Sequence, residues 1–307
     1  MTWETVPRPE PGAQQGLVRV RAAGVGPWDA WVRAGRSAIR HTLPLIPGSD
    51  LAGEIERIGP DVRGLQPGDA VFGVTNEQFI GAYAEYAVAS ARMMARKPVR
   101  LGFVEAASVP VVACTAWQMV VDQARVDRTK RVLVHGPAGN VGAFAVQFAK
   151  AAGSEVITAA HARDADYVRT LGADRVVDLE ACRFEDVLDG VDVVLDTVGG
   201  DLLERSFAVL KPGGVLVSSA SVPDAAAAER HRVRAVFFIV QVSFGLLKTI
   251  ADLIDAGRLL TNVGEVLPLA DARLAHEMLA GKPHKRGKIV LTVDETEAGT
   301  DTPRSYR

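Results

Sequence analysis

Residues 135–142 read HGPAGNVG, and they decide the fold. The run RVLV leads into them and AFAVQFAKAAG leaves them, so a β-branched apolar stretch passes through three glycines into an Ala-rich helical pattern. Spacing of this kind between a buried strand and a helix is the phosphate turn of a dinucleotide-binding unit. Gly136 supplies the sharp turn, Gly139 leaves room for a pyrophosphate, and Gly142 lets the helix pack closely. The pyrophosphate would rest on the helix N-terminus, where unpaired N–H groups and the macrodipole favour negative charge. Asn140 is expected to tolerate a left-handed turn and to offer its amide to the diphosphate, beside Val141. The bland alternative is a tight turn with no ligand.

About 20 residues further on, a dinucleotide site reads the ribose. An NAD site wants Asp or Glu there. This chain has AAHARDAD at 159–166, which presents His161 and Arg163 after the second strand. A guanidinium pairs with a 2′-phosphate that a carboxylate would repel, so NADP(H) is expected over NAD(H). A solvated cation at a helix start is the alternative for Arg163.

The surrounding chain fits this reading. From Arg131 onward strands and helices alternate: RVLVHG, EVITAA, RVVD, VDVVLDTVG, GVLVSSA and RAVFFIV are strands with helical runs between them. That pattern means parallel βαβ units with both faces of the sheet covered. Residues 1 to about 110 instead carry short β-type runs broken by IPGSD, QPGDAVFG and GAYAEYAV, an antiparallel, loop-rich pattern. A helix is expected over Thr115–Arg125, another at SFGLLKTIADLIDAGR, and a closing strand, GKIVLTV, that rejoins the first domain. The expected division is 1–112, 113–245 and 246–294, with 295–307 a polar, disordered tail.

Composition narrows the class. The 307 residues are 48% hydrophobic and 23% charged, as in ordinary globular proteins, and carry a formal net charge of −2. That balance offers no basic field, so neither nucleic acid nor an anionic membrane is expected as a partner. Two cysteines, Cys114 and Cys182, fit a reducing cytoplasm and are too few for a disulfide framework. No signal peptide is read at the N-terminus and no segment is apolar enough to span a bilayer, so a cytoplasmic protein is expected.

Nine ordered stretches carry a resemblance: AAGVGPWDAWVRAG, IPGSDLAGEI, GAYAEYAV, EAASVPVVACTAWQ, VLVHGPAGNVGAFAVQFAKAAG, LGADRVVD, VLDTVGG, LKPGGVLVS and HKRGKIVL. Together they resemble the medium-chain dehydrogenase/reductase superfamily, and most its zinc-free quinone oxidoreductase and enoyl reductase branch. The resemblance implies an α/β chain: a GroES-like β-rich catalytic domain plus a Rossmann doubly wound parallel sheet. It further implies NADPH-dependent reduction of an enone or quinone in a cleft between the domains, and often a homodimer.

Metal-dependent relatives have ligands where this chain has Gly26, Ser49 and Val111, none of them a soft or imidazole ligand, so no metal is expected. Without a Lewis acid the substrate carbonyl must be polarised by hydrogen bonds and the enolate protonated. Relatives of the quinone reductase branch usually have Asn at Gly26 and many have Tyr at Trp31. Trp donates a hydrogen bond but yields no proton near neutral pH. Trp31, Asp29 and Ser49 are therefore the catalytic candidates; for Asp29 and Ser49 a turn or cap role is the alternative.

By the same resemblance Thr115 lies beside the nicotinamide, or is an ordinary helix N-cap. Thr197 and Val198 follow a strand at the ligand-binding edge. Phe238 and Ile239 end the sixth strand, where relatives hold the carboxamide by backbone groups; plain core is the alternative. Lys288 would reach the diphosphate or stand as a surface cation. The Tyr by which many relatives contact a 2′-phosphate is replaced by Leu179. Three readings remain: the reductase, an NADP(H)-binding protein with weak or no redox turnover, and an NAD(H)-linked enzyme.

Overall fold

The computed structural model describes residues 1–293 and the backbone of Arg304–Tyr306. Two compact units emerge, Val112–Gln241 and a second one built from Met1–Val111 with the chain from Val242 onward. The second unit is GroES-like and the first is a Rossmann sheet.

In Val112–Gln241, six parallel strands lie in the order Arg234–Phe237, Leu210–Ser218, Val191–Asp196, Arg131–His135, Glu155–Ala160, Arg175–Asp178. The first strand in sequence is central and the order reverses beside it, which is the doubly wound arrangement. Helix Asn140–Ala151 packs on the central strand with its apolar face, and Trp117 meets Phe148 edge-on at 5.3 Å between ring centroids. Val132, Leu133 and Val134 are fully buried. Burying a side chain of this kind stabilises by about 1.5–3 kcal/mol, which anchors the strand that feeds the glycine loop. The register aligns His135 with Ala159 on one side and Asp196 on the other, then Asp196 with Ser218 and Ser218 with Phe237. The carboxyl ends of the strands thus form one edge.

The expected helix over Thr115–Arg125 begins earlier and changes pitch. It runs as an α-helix over Pro110–Trp117 and as a π-helix over Gln118–Gln123. Thr115 is accordingly an interior helical residue and not an N-cap.

In the other unit, seven strands form a mainly antiparallel sheet in the order Val263–Pro268, Lys288–Thr292, Gln15–Val25, Asp50–Ile58, Ala70–Val74, Met94–Arg96, with Tyr86–Ser90 also on Gln15–Val25. The closing strand Lys288–Thr292 runs antiparallel to Ala22–Val25, so the chain does return to the first sheet as its sequence suggests. Along Gln15–Val25 only Gln15, Arg19 and Arg21 are half-buried, and Val18, Val20, Ala23 and Val25 share a core with Leu51, Ile55, Tyr83 and Leu291. The expected disordered tail, 295–307, lies outside the described residues. Only the Arg304–Tyr306 backbone is described, antiparallel to Trp3–Thr5.

Candidate functional site

The glycine loop is built as a cradle. Gly136 takes φ +69°, the left-handed region that only glycine enters freely. A Cβ on Gly142 would stand 2.0 Å from the Gly136 carbonyl oxygen, so only glycine lets the helix start this close to the turn. A Cβ on Gly139 would meet just that same oxygen, at 3.2 Å, and the space beyond it is open to a ligand. Gly139 is the N-cap of helix Asn140–Ala151 in extended conformation, and no side chain caps the helix. The first N–H groups of that helix are thus the natural seat for an anion.

The loop differs from its expected form at Asn140. Asn140 does not occupy a left-handed turn; it is the first helical residue, because Gly136 and Gly139 already complete the reversal.

Below the loop, the polar groups are paired with care. Thr197 Oγ1 donates to the His135 carbonyl at 2.8 Å. Asp196 is fully buried and accepts from Val198 N–H, Gly199 N–H and Ser218 Oγ, at 3.1, 2.9 and 2.6 Å. That carboxylate fixes the turn carrying Thr197 and Val198. The His135 ring is buried, with Nε2 2.8 Å from Ser206 Oγ. Since Ser206 Oγ donates to Leu202 O, it accepts from His135, which places the ring proton on Nε2 and leaves Nδ1 without a partner. Burial pushes this imidazole down to about 4, so it is neutral at pH 7.

At the same edge, strand Arg234–Phe237 ends one residue before Phe238, so Phe238 and Ile239 follow the strand. Ile239 is exposed and not core. The segment is tied down by Gln118, whose Nε2 donates to Gln241 O at 2.6 Å and whose Oε1 accepts from Gln241 N–H at 3.1 Å. His161 and Arg163 stand just past strand Glu155–Ala160 with exposed side chains.

The catalytic candidates belong to the GroES-like unit. Helix Pro27–Arg33 turns Asp29 inward and Trp31 outward, the latter 46% exposed. Asp29 Oδ2 accepts from Gly26 N–H at 2.8 Å and from Tyr83 OH at 3.1 Å, while Oδ1 is buried without a partner. Burial raises this carboxyl to about 7, against the lowering effect of its hydrogen bond from Gly26 and of the Lys288 charge. Burial and the neighbouring Asp29 push the Tyr83 hydroxyl well up, so it serves as a donor.

Lys288 is the clearest correction. It neither faces solvent nor has an ammonium available for a diphosphate: Nζ lies 3.0 Å from Asp50 Oδ2, with side chains 1% and 0% exposed. Asp50 Oδ1 accepts from Val111 N–H at 3.0 Å. The first residue of the closing strand points into the sheet, and Gly24 makes the room, since a Cβ there would lie 3.0 Å from both Lys288 Cε and Asp50 Cβ.

Sequence reasoning also missed Trp28. Its indole N–H donates to Ser49 Oγ at 2.9 Å, and its ring covers Lys288 Nζ at 4.3 Å from the centroid, a cation–π contact. Gly26 allows this, because a Cβ would stand 2.3 Å from the Trp28 ring. The missing side chain at 26 and the indole at 28 are thus one feature. The structure gathers Asp29 and Ser49 into this cluster with Trp28, Asp50, Tyr83 and Lys288, and leaves Trp31 outside it. His276, also unnoticed in the sequence, is buried edge-on to Tyr83 with neither ring nitrogen partnered.

The profile of the alcohol dehydrogenase GroES-like domain matches residues 12–99, and that of the zinc-binding dehydrogenase family matches 171–291. An NADPH-dependent alkenal/one oxidoreductase of Arabidopsis thaliana, chloroplastic, is 31% identical over 293 residues, covering 92% of this chain and 73% of its own. The chain belongs to the medium-chain dehydrogenase/reductase superfamily. Within this oxidoreductase superfamily, whose members use nicotinamide cofactors, it falls in the quinone oxidoreductase branch. The structure of the quinone oxidoreductase from Coxiella burnetii superposes with a TM-score of 0.85 at 32% identity, covering 94% of this chain and 93% of the other. The spectinabilin polyketide synthase system protein NorB of Streptomyces orinoci is 37% identical over 292 residues; the match spans 90% of this chain and 13% of NorB.

A dinucleotide fits the cradle just described. Gly26, Ser49 and Val111 offer no thiolate or imidazole, and no group of three or more His, Cys, Asp or Glu among the described residues is placed to share a metal ion. No helix among the described residues is long and apolar enough to cross a membrane.

Proposed function

We propose that this chain is a zinc-independent, NADPH-dependent reductase of an enone or a quinone. The observation that carries the reading is the loop at 136–142, with its left-handed Gly136, its open Gly139 and the uncapped helix N-terminus behind them. The names of the Arabidopsis and Coxiella relatives agree with the substrate class, and NorB with a polyketide setting.

The bound nicotinamide would supply a hydride. The chain's own residues do the rest. The N–H groups from Asn140 and Val141 onward hold the pyrophosphate, with Thr197 and Val198 lining the edge. Arg163 and His161 face the 2′-phosphate, and the backbone at Phe238–Ile239, fixed by Gln118, holds the carboxamide. Thr115 contributes from inside its helix. In the other unit, Asp29 is the candidate acid for the enolate: its carboxyl titrates near neutrality and Oδ1 is uncommitted. Ser49 accepts from Trp28, which leaves its own hydroxyl proton to donate.

Oxidation of NADPH on a panel of quinones and enones, with and without a chelator, tests this. Turnover indifferent to the chelator is expected; chelator-sensitive turnover overturns zinc independence. Arg163→Ala should weaken NADPH selectively by about 1–2 kcal/mol, the scale of a charge-assisted pair, and equal loss of NADPH and NADH overturns the cofactor assignment.

Trp28 also favours a second reading, in which the chain binds NADP(H) with little or no turnover. Its indole occupies the corner that a side chain at 26 would share. Tight NADPH binding with no oxidation on any acceptor would select it.

A further inference from the structure

The edge that carries His161 and Arg163 also carries an acid. Leu179 N–H donates to the Ala160 carbonyl at 3.0 Å, which holds the turn after strand Arg175–Asp178 against the residue preceding His161. Glu180 N–H donates to Asp178 Oδ1 at 2.9 Å, so the turn is stiffened from within. Glu180 Oε1 consequently lies 3.2 Å from His161 Nδ1. Both side chains are about half exposed, 48% and 62%, so the pair is open to solvent at this edge. Arg163, two residues on, is 79% exposed with Asp164 Oδ2 3.9 Å from its Nε.

Dinucleotide folds read the adenosine ribose here: an acid at the strand tip accepts from a 2′-hydroxyl, and a cation pairs with a 2′-phosphate. This chain has His161 and the guanidinium of Arg163 past the second strand's tip and an acid supplied by the third. We propose that Glu180 is a specificity-determining residue of this corner, which accepts from a 2′-hydroxyl, repels a 2′-phosphate, and so narrows the NADPH preference set by Arg163. The proposal rests on the reading of the 136–142 loop as a dinucleotide site. An acid beside Arg163 gives a corner with a smaller NADPH preference than Arg163 alone would set.

Isothermal titration calorimetry with NADPH and with NADH, at one fixed ionic strength, tests it on the unaltered chain, Glu180→Gln and Glu180→Lys. Glu180→Gln is expected to tighten NADPH about three- to fivefold, the scale of an exposed charge contact, and to leave NADH unchanged or weaker. Glu180→Lys should move the ratio of the two affinities further the same way. An NADPH preference that neither variant changes overturns the role of Glu180 and leaves the cofactor reading intact. Binding of neither cofactor overturns the dinucleotide reading and the Glu180 role with it.

Discussion

Lys288 and Asp50 are 238 residues apart in sequence and 3.0 Å apart in the fold, both wholly enclosed. Burial alone would push the Asp50 carboxyl up, and the Lys288 ammonium beside it opposes that. The pair is then stable only while both members are present. Asp50→Ala strands a buried cation and should cost about 3–5 kcal/mol in urea unfolding. The double change Asp50→Leu with Lys288→Met should cost less than Asp50→Ala. A double variant as unstable as the single one would contradict this account.

Asp29 makes a pH prediction of opposite sign to the usual carboxylate. Its pKa in the fold, about 7, lies above the unfolded value of 3.8, so the native state holds the proton more tightly. The stability this confers is complete in acid and is lost as pH rises through 4 to 7. Asp29→Asn should therefore gain on the unaltered protein by roughly 2–4 kcal/mol at pH 8 and by little at pH 4. Melting temperatures across that range decide it; a gain independent of pH would rule out the titration. If Asp29 also serves as the acid, the same variant loses turnover while keeping its affinity for NADPH.

His135 and His276 act the other way. Burial lowers both to about 4, below the 6.5 of a free imidazole, so the unfolded chain takes up their protons first. Their contribution to stability is intact above pH 6.5 and falls away as pH drops to 4, by roughly 3 kcal/mol each at the limit. His276→Phe keeps an aromatic ring against Tyr83 and removes two unpartnered nitrogens. It should stabilise at pH 7 by about 1–2 kcal/mol and by more at pH 5. Unchanged acid sensitivity in denaturant titrations would assign the loss elsewhere.

Gly26 and Trp28 should behave as a unit. Gly26→Ala puts a methyl where the indole lies and must displace Trp28 from Ser49. We expect a loss of about 1–3 kcal/mol from overpacking, relieved by adding Trp28→Ala. Additive losses, with no relief in the double variant, would show that the two are independent.

Gly142→Ala tests the loop. The new methyl would meet backbone at Gly136, which has no flexible end to yield. Titration with NADPH should show binding reduced at least tenfold while the GroES-like unit keeps its melting transition. Unaltered binding would place the cofactor elsewhere.

What the sequence disclosed, and what it hid, divides along chain distance. The glycine loop and the strand tips are local: a period-two run, three spaced glycines and a period-3.6 run lie within about 20 residues, and each element dictates the next. The GroES-like cluster is not local. Which of two tryptophans on a seven-residue helix turns inward depends on the absent side chain at 26, and Lys288 finds Asp50 only after the whole Rossmann segment has intervened. Glu180 escaped notice for the same reason, since it reaches the ribose corner from the neighbouring strand and not from the strand where the acid is usually sought. His276 carries no sequence signal: a polar ring sits on the buried face of helix Ala272–Leu279, where an apolar residue would have been expected.

The split construction of the GroES-like unit has a consequence for synthesis. Its strand Gln15–Val25 is made well before its neighbour Lys288–Thr292, with the whole Rossmann segment between them. Until then the edge of that strand is open and Asp50 has no counter-ion. The Rossmann segment, contiguous and complete by Gln241, is free to fold before Lys288–Thr292 is made, so a nascent chain passes through an interval with one finished unit and one unpaired sheet edge. An edge left unpaired in that interval is a template for pairing with another chain, which the arrival of Lys288–Thr292 removes.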